Sequence, residues 1–287
     1  MTTPPSTAVE TLRRARAWVL DVDGCLMRTA RAGGAGGEAM PGAGSLLTAL
    51  RRAGHSVVVC TNASQRPPRE YAAHLRGKGI DVADEDFVTA GSAAAEYIAA
   101  HHAGARVLVV GDDGVREPLL RLGFDPVKPG GPELGDVVVV GAAAGYTAEL
   151  LNAACLAVDA GAPLYTTVET PWFHGGLAKS VAVSATIAHA IGWATGTRPH
   201  VLGKPSASLA ETLLRRLPAE PDEIAVVGDA TAEIGLARAM GATSALVLSG
   251  ATTPEKLATL HGAHRPDVVL RDVAELYDLL SESLPTT

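Results

Sequence analysis

The sequence predicts an α/β protein built on a doubly wound, Rossmann-like parallel sheet. Three observations carry this expectation. Short aliphatic and β-branched runs recur along the chain, helical patterns lie between most of them, and several runs end at once in polar residues. Continuous apolar runs of four or five residues suit strands covered on both faces. Strand alternating with helix suits a parallel sheet with crossover helices.

Taken in order, the first run is 17–20 (AWVL), which ends in Asp21 and Asp23. Residues 29–42 (TARAGGAGGEAMPG) are glycine-rich and read as a mobile loop or flap. A helix over 45–54 closes on Gly54, and 57–60 (VVVC) is a strand. Further strands are expected at 106–110, 136–140 and about 163–167, with a helix over 146–161 ending in glycine. His101 and His102 mark an exposed helix end. The helix 206–217 carries Ser208 three residues before Glu211, the spacing of a capping box. Strands at 224–227, 245–248 and 267–270 follow. The helix 253–260 sets a proline after a threonine cap, and 272–280 repeats the cap logic with Asp272 and Glu275.

Composition narrows the function. A chain of 287 residues, 47% hydrophobic and 19% charged, can bury a sizeable core, and its length suits about two domains. Only 4% is aromatic, so the core must be mostly Ala, Val and Leu. A net charge of -7 argues against a nucleic-acid binder, which would show a basic stripe. No segment reaches the length of a membrane span and the N-terminus lacks a signal-peptide pattern. Cys25, Cys60 and Cys155 have no metal spacing and read as reduced core thiols of a cytoplasmic protein.

In doubly wound sheets, ligands bind beyond the carboxyl ends of the strands. Asp21 and Asp23 therefore face a crevice, with Gly24 turning the chain. The same event recurs at VVVCTNAS, which places Thr61, Asn62 and Ser64 at a strand end, and at IAVVGDATAEIG, which places Asp229 after Gly228. Lys204 stands in VLGKPS, before a capped helix. Singly, Thr61 reads equally as a loop residue and Lys204 as a solvated surface lysine. The order of the set is what is specific.

An aspartate pair, then threonine, then lysine, then Gly-Asp resembles the motif set of the haloacid dehalogenase (HAD) superfamily phosphatases. DVDGCLMR, PGAGSLLTALRRAG, VVVCTNAS, VLVVGDDGVREPLLRLGF and the lone GKPS resemble the NagD-like class in particular, over about residues 18–278. The resemblance implies a phosphatase acting on a small phosphate ester, a sugar or polyol phosphate first among the candidates. A phosphotransferase or mutase would share the same residues, and a catalytically weakened binding protein is the rival from another class. Asp21 would be the nucleophile and Asp23 the general acid and base. Thr61, Asn62, Gly24 and Lys204 would bind the phosphate. Mg²⁺ would be held by Asp21, the Asp23 carbonyl and Asp229. Glu233 stands where the family has a second aspartate, and would hold a metal-coordinated water or act as a first-turn glutamate on the helix dipole.

The resemblance also divides the chain, with residues 1–91 and 198–287 as the catalytic core and 92–197 as an inserted α/β cap. The stretch TTVETPWFHGGLAKS (166–180) departs from the class pattern, which puts the substrate in question rather than the reaction. Trp172 and Phe173 read as packing of the cap interior, with Trp172 also a candidate substrate contact. Glu169, His174 and Lys179 are further candidates. Family members are often homodimers, though no interface is visible in the sequence.

Overall fold

The computed structural model describes residues 6–29, 36–174 and 179–281. Six strands form one fully parallel sheet. In spatial order they are Val268–Leu270, Thr243–Val247, Ile224–Gly228, Ala17–Asp21, Ser56–Thr61 and Phe87–Thr89. The chain builds outward from Ala17–Asp21 first to one side and later to the other. The order therefore reverses between Ala17–Asp21 and Ile224–Gly228, and such a switch point opens a crevice at the strands' carboxyl ends.

Both faces of this sheet are covered. Trp18, Leu20, Val57, Val59, Val227 and Val247 pack into one core cluster, and Ala17, Val19, Val58, Cys60 and Val226 into another. The alternation explains why each strand reads as an unbroken apolar run. Full burial of a Val or Leu side chain is worth about 1.5–3 kcal/mol relative to exposure, so the strands are anchored firmly where they meet the crevice.

A second parallel sheet, in the order His200–Val201, Leu164–Thr166, Val137–Val140 and Val107–Val110, has its own two apolar clusters. The strand His200–Val201 falls within 198–287, the range expected for the core, yet pairs with Leu164–Thr166 of this second sheet. A separate antiparallel hairpin, Trp172–His174 with Lys179–Val181, pairs only with itself. Another, Met27–Arg28 with Glu38–Ala39, lies within the glycine-rich 29–42 stretch and just before it. The rest of that expected flap, 30–35, is outside the described residues. No helix among the described residues is long and apolar enough to cross a membrane.

Two local expectations change. The helix Ala207–Arg216 is capped by Ser206, whose hydroxyl accepts from the Leu209 N–H at 3.1 Å, and not by Ser208. Ser206 follows Pro205 and is still extended, so the helix begins one residue before Ser208. Ser208 instead bonds His200 at 2.9 Å, and Glu211 bonds His101 at 2.9 Å. His102 is not simply exposed, because its ring bonds the Tyr165 hydroxyl at 2.7 Å. In urea denaturation, Ser206→Ala is expected to cost about 1 kcal/mol, and Glu211→Ala, which loses exposed pairs only, about 0.5 kcal/mol or less. Equal losses would restore the Ser208–Glu211 box.

Candidate active site

The strand Ala17–Asp21 delivers Asp21 into the crevice, and a tight turn then returns Asp23 to the same place. Within that turn the Val22 carbonyl accepts from the N–H groups of Leu26 at 3.0 Å and Met27 at 2.8 Å. Gly24 donates to the Met27 carbonyl at 2.7 Å with φ of 86°, a left-handed conformation that favours glycine. A Cβ at Gly24 would also lie 2.2 Å from Asp229 Oδ2. Asp21 and Asp23 end 6% and 5% exposed. Cys25 packs beneath them, its thiol pointing at the Val227 carbonyl and pushed well up by burial, which leaves it inert.

Lys204 is the centre of the site and only 3% exposed, so the surface-lysine alternative fails. Its Nζ meets Asp21 Oδ1, Glu233 Oε1 at 2.8 Å and the Cys60 carbonyl at 3.0 Å. Asn62 fixes the backbone that carries it. The Asn62 Oδ1 accepts from the Lys204 N–H at 2.8 Å, while Nδ2 donates to the Lys204 carbonyl at 3.1 Å. The Asn62 side chain is thus engaged with Lys204, and any phosphate contact falls to its backbone N–H. Thr61 donates its hydroxyl hydrogen to Asp23 Oδ2 at 3.2 Å and accepts from the Ala63 N–H at 3.1 Å.

On the other side of the crevice, Asp229 accepts from the Ala251 N–H at 2.5 Å. Glu233 sits in the first turn of the helix Thr231–Met240, as the dipole reading expects. Both its oxygens are engaged: Oε1 meets Lys204, and Oε2 accepts from the Ala230 N–H at 3.1 Å. Its place is therefore beside the lysine.

Four buried carboxylates, Asp21, Asp23, Asp229 and Glu233, face one buried ammonium. Burial raises Asp21 well above the usual carboxylate range, despite the pull of Lys204, with Glu233, Asp229 and Asp23 adding to the rise. Burial likewise pushes Asp229 up to about 7, with Glu233 next in effect. Burial alone would lower Lys204, but Asp21 and Glu233 outweigh it and hold its ammonium charged. The excess of buried negative charge is what a hard cation relieves, and Mg²⁺ needs only one or two carboxylates alongside waters and a phosphate. The donor chemistry fits, although no group of three or more His, Cys, Asp or Glu side chains placed to hold a metal occurs among the described residues, this site included.

These groups line a cavity of about 580 Å³ that reaches the Trp172–Lys179 hairpin. Trp172 is 50% exposed and lines the cavity with Phe173, so these aromatics face the cavity and do not pack a cap interior. Lys179 and Glu169 do not line it. The Lys179 ammonium stands 4.1 Å from the Trp172 ring centre, and Glu169 pairs with Arg198 at 3.5 Å on the surface. The His174 side chain lies outside the described residues. Arg66, Tyr71 and Lys256 line the cavity and went unread, although QRPPREY directly follows the Thr61 motif.

Two family descriptions match the chain, haloacid dehalogenase-like hydrolase over residues 18–125 and HAD-hydrolase-like over 201–276. An acid sugar phosphatase of Staphylococcus saprophyticus is 29% identical over 76% of this chain and 80% of its own. The ribonucleotide monophosphatase NagD of Escherichia coli is 27% identical over 90% and 96%. The crystal structure of a Mycobacterium tuberculosis glycerol phosphate phosphatase in complex with magnesium superposes with a TM-score of 0.80 at 28% identity, covering 93% of this chain and 77% of that one.

The Asn62–Lys204 clamp makes a prediction. Asn62→Ala should slow phosphate release from nitrophenyl phosphate by roughly 100-fold, since an ångström of misplacement costs about that much, with the fold intact by circular dichroism. Turnover equal to the parent would mean that Lys204 needs no such support.

Proposed function

We propose that this chain, which belongs to the haloacid dehalogenase-like hydrolases, acts on its ester through a phosphoaspartate at Asp21. It is a phosphoric monoester hydrolase. The observation that carries the mechanism is the convergence of Asp21 and Asp23 from one strand end, both buried, with Lys204 on the first and Thr61 on the second.

An Asp21 carboxylate oxygen forms a bond to phosphorus as the ester oxygen leaves, and protonated Asp23 gives that oxygen its proton. The Thr61 hydroxyl, already bonded to Asp23, orients the acid. Asp23, now ionised, takes a proton from water as that water attacks phosphorus. The Asp21–phosphorus bond breaks and inorganic phosphate departs. Lys204 spreads positive charge over Asp21 and the phosphoryl oxygens throughout. Because burial opposes ionisation of Asp21, this ammonium also helps keep the nucleophile anionic.

Asp21, the Asp23 backbone carbonyl and Asp229 would hold Mg²⁺, which when bound supplies the charge that offsets the carboxylates and the phosphate together. The names of the acid sugar phosphatase and the glycerol phosphate phosphatase support a sugar or polyol phosphate as substrate, and the second sheet and the hairpin act as the cap that shelters it from water. Three free thiols fit a cytoplasmic setting.

Asp21→Asn should abolish turnover while leaving the unfolding transition in place. Retained activity would sink the covalent route. Chelation should silence the native enzyme and added Mg²⁺ should restore it; a chelated enzyme that keeps releasing phosphate would contradict the metal assignment.

A further inference from the structure

We propose that Arg66 is the contact for a second anionic group on the substrate, so that the favoured ester carries a carboxylate or another phosphate a few bonds from the scissile one. The proposal rests on the phosphatase reading and narrows its substrate.

The chemistry fixes where the leaving group must lie. Asp23 has to reach the ester oxygen, so the leaving group occupies the Asp23 side of the cavity. Thr61, from the neighbouring strand Ser56–Thr61, holds Asp23 and thereby identifies that side. The loop after the same strand carries Arg66. Tyr71, 6% exposed, links the two: its hydroxyl accepts from the Arg66 N–H at 3.3 Å and lies within electrostatic reach of both the Arg66 guanidinium and the Asp23 carboxylate.

Arg66 is also chemically available. Other arginines of this protein are spent on carboxylates, as in Arg51–Asp86 at 2.6 Å, Arg106–Asp136 at 2.6 Å and Arg238–Asp267 at 2.8 Å. Among the described residues no carboxylate pairs with the Arg66 guanidinium. Glu70, Asp112 and Asp113 line the adjoining groove together with Arg116. Asp112 Oδ2 already accepts from Gln65 at 3.2 Å and from the Ala144 N–H at 2.9 Å, Glu70 lies 3.8 Å from Arg69, and none of the three pairs with Arg66.

Charge decides what this arginine suits. The floor holds four carboxylates against Lys204, and Lys204 is committed to Asp21 and Glu233. A second anion on the leaving group would be repelled by the floor carboxylates Asp21, Asp229 and Glu233 unless a cation met it on that side. The far wall offers none: Val168, Thr170, Trp172, Phe173, Ser180 and Val181 are uncharged. Lys256 also lines the cavity, but it follows the strand Thr243–Val247, on the Asp229 flank of Asp21. It is the natural control.

The test uses a set of esters with one three-carbon skeleton: 3-hydroxypropyl phosphate, 3-phosphonooxypropanoate and 1,3-propanediol bisphosphate. The native Mg²⁺-loaded enzyme should favour at least one acidic ester over the neutral one by about tenfold or more in kcat/KM, and whichever it is tells carboxylate from phosphate. Arg66→Gln should remove that preference, a loss of roughly 10–100-fold for a charge-assisted hydrogen bond, carried mainly by KM, while the neutral ester changes by about threefold at most. Arg66→Lys should restore part of it, and Lys256→Gln should keep it. No preference in the native enzyme, an equal fall for all three esters in Arg66→Gln, or loss of preference in Lys256→Gln instead would each overturn the proposal. If no ester, nitrophenyl phosphate included, released phosphate, the phosphatase reading itself would fall and take this proposal with it.

Discussion

One contact sets the terms for the rest of the site: the Lys204 ammonium lodged between Asp21 and Glu233 at the end of the central strand. A buried ammonium is tolerated only when paired and hydrogen-bonded, and a buried carboxylate the same. Each therefore needs the other in place. Nearby features answer to this need. Asn62 grips both backbone groups of Lys204, and the Cys60 carbonyl takes one more ammonium proton. Gly228 clears the space that Glu233 crosses, for a Cβ there would stand 2.1 Å from Glu233 Cγ. The glutamate side chain passes over Gly228 and reaches the lysine.

That pairing is incomplete by design of charge. One ammonium cannot neutralise four carboxylates, and burial drives Asp21 upward and Asp229 up to about 7. A site left in this condition favours whatever brings positive charge to Asp21 and Asp229. It equally disfavours any further anion that arrives without a cation of its own. The same imbalance that a hard cation would relieve at the floor makes a cation near the leaving group informative about the substrate.

The parts of this architecture legible in the sequence were those with local signatures. Apolar runs marked the strands because both sheet faces are covered, and polar residues at their ends marked the crevice because strand ends are where a parallel sheet presents ligands. What stayed hidden depends on distant pairing. The Asn62–Lys204 clamp joins residues 142 apart, and nothing local in TNAS distinguishes an amide that grips a backbone from one that grips a phosphate. Ser206 and Ser208 are both good caps by composition, and only the extended backbone after Pro205 selects the first. Glu169 and Lys179 drew notice through charge, yet each is spent on a neighbour, whereas Arg66 lay unread in a loop with no periodicity to flag it.

The contacts between the two sheets alter how specificity is to be understood. Ser64, from the loop that follows Thr61, bonds Thr167 at 3.0 Å and accepts from the Ala142 N–H at 3.0 Å. Both partners belong to loops of the second sheet. Gly114 approaches the same loop so closely that a Cβ would lie 2.2 Å from the Ser64 carbonyl oxygen. The segment 61–66 thus makes three ties in six residues: to Asp23 through Thr61, to Lys204 through Asn62 and to the loops of the second sheet through Ser64. Arg66 closes that same segment. Discrimination by Arg66 would then be set by the same loop that holds Asp23 and Lys204, while the hairpin bearing Trp172, paired only with itself among the described residues, supplies an uncharged wall. On the proposed reading, substrate choice is shared between the Arg66 charge on the loop after Thr61 and the uncharged wall that faces it across the cavity.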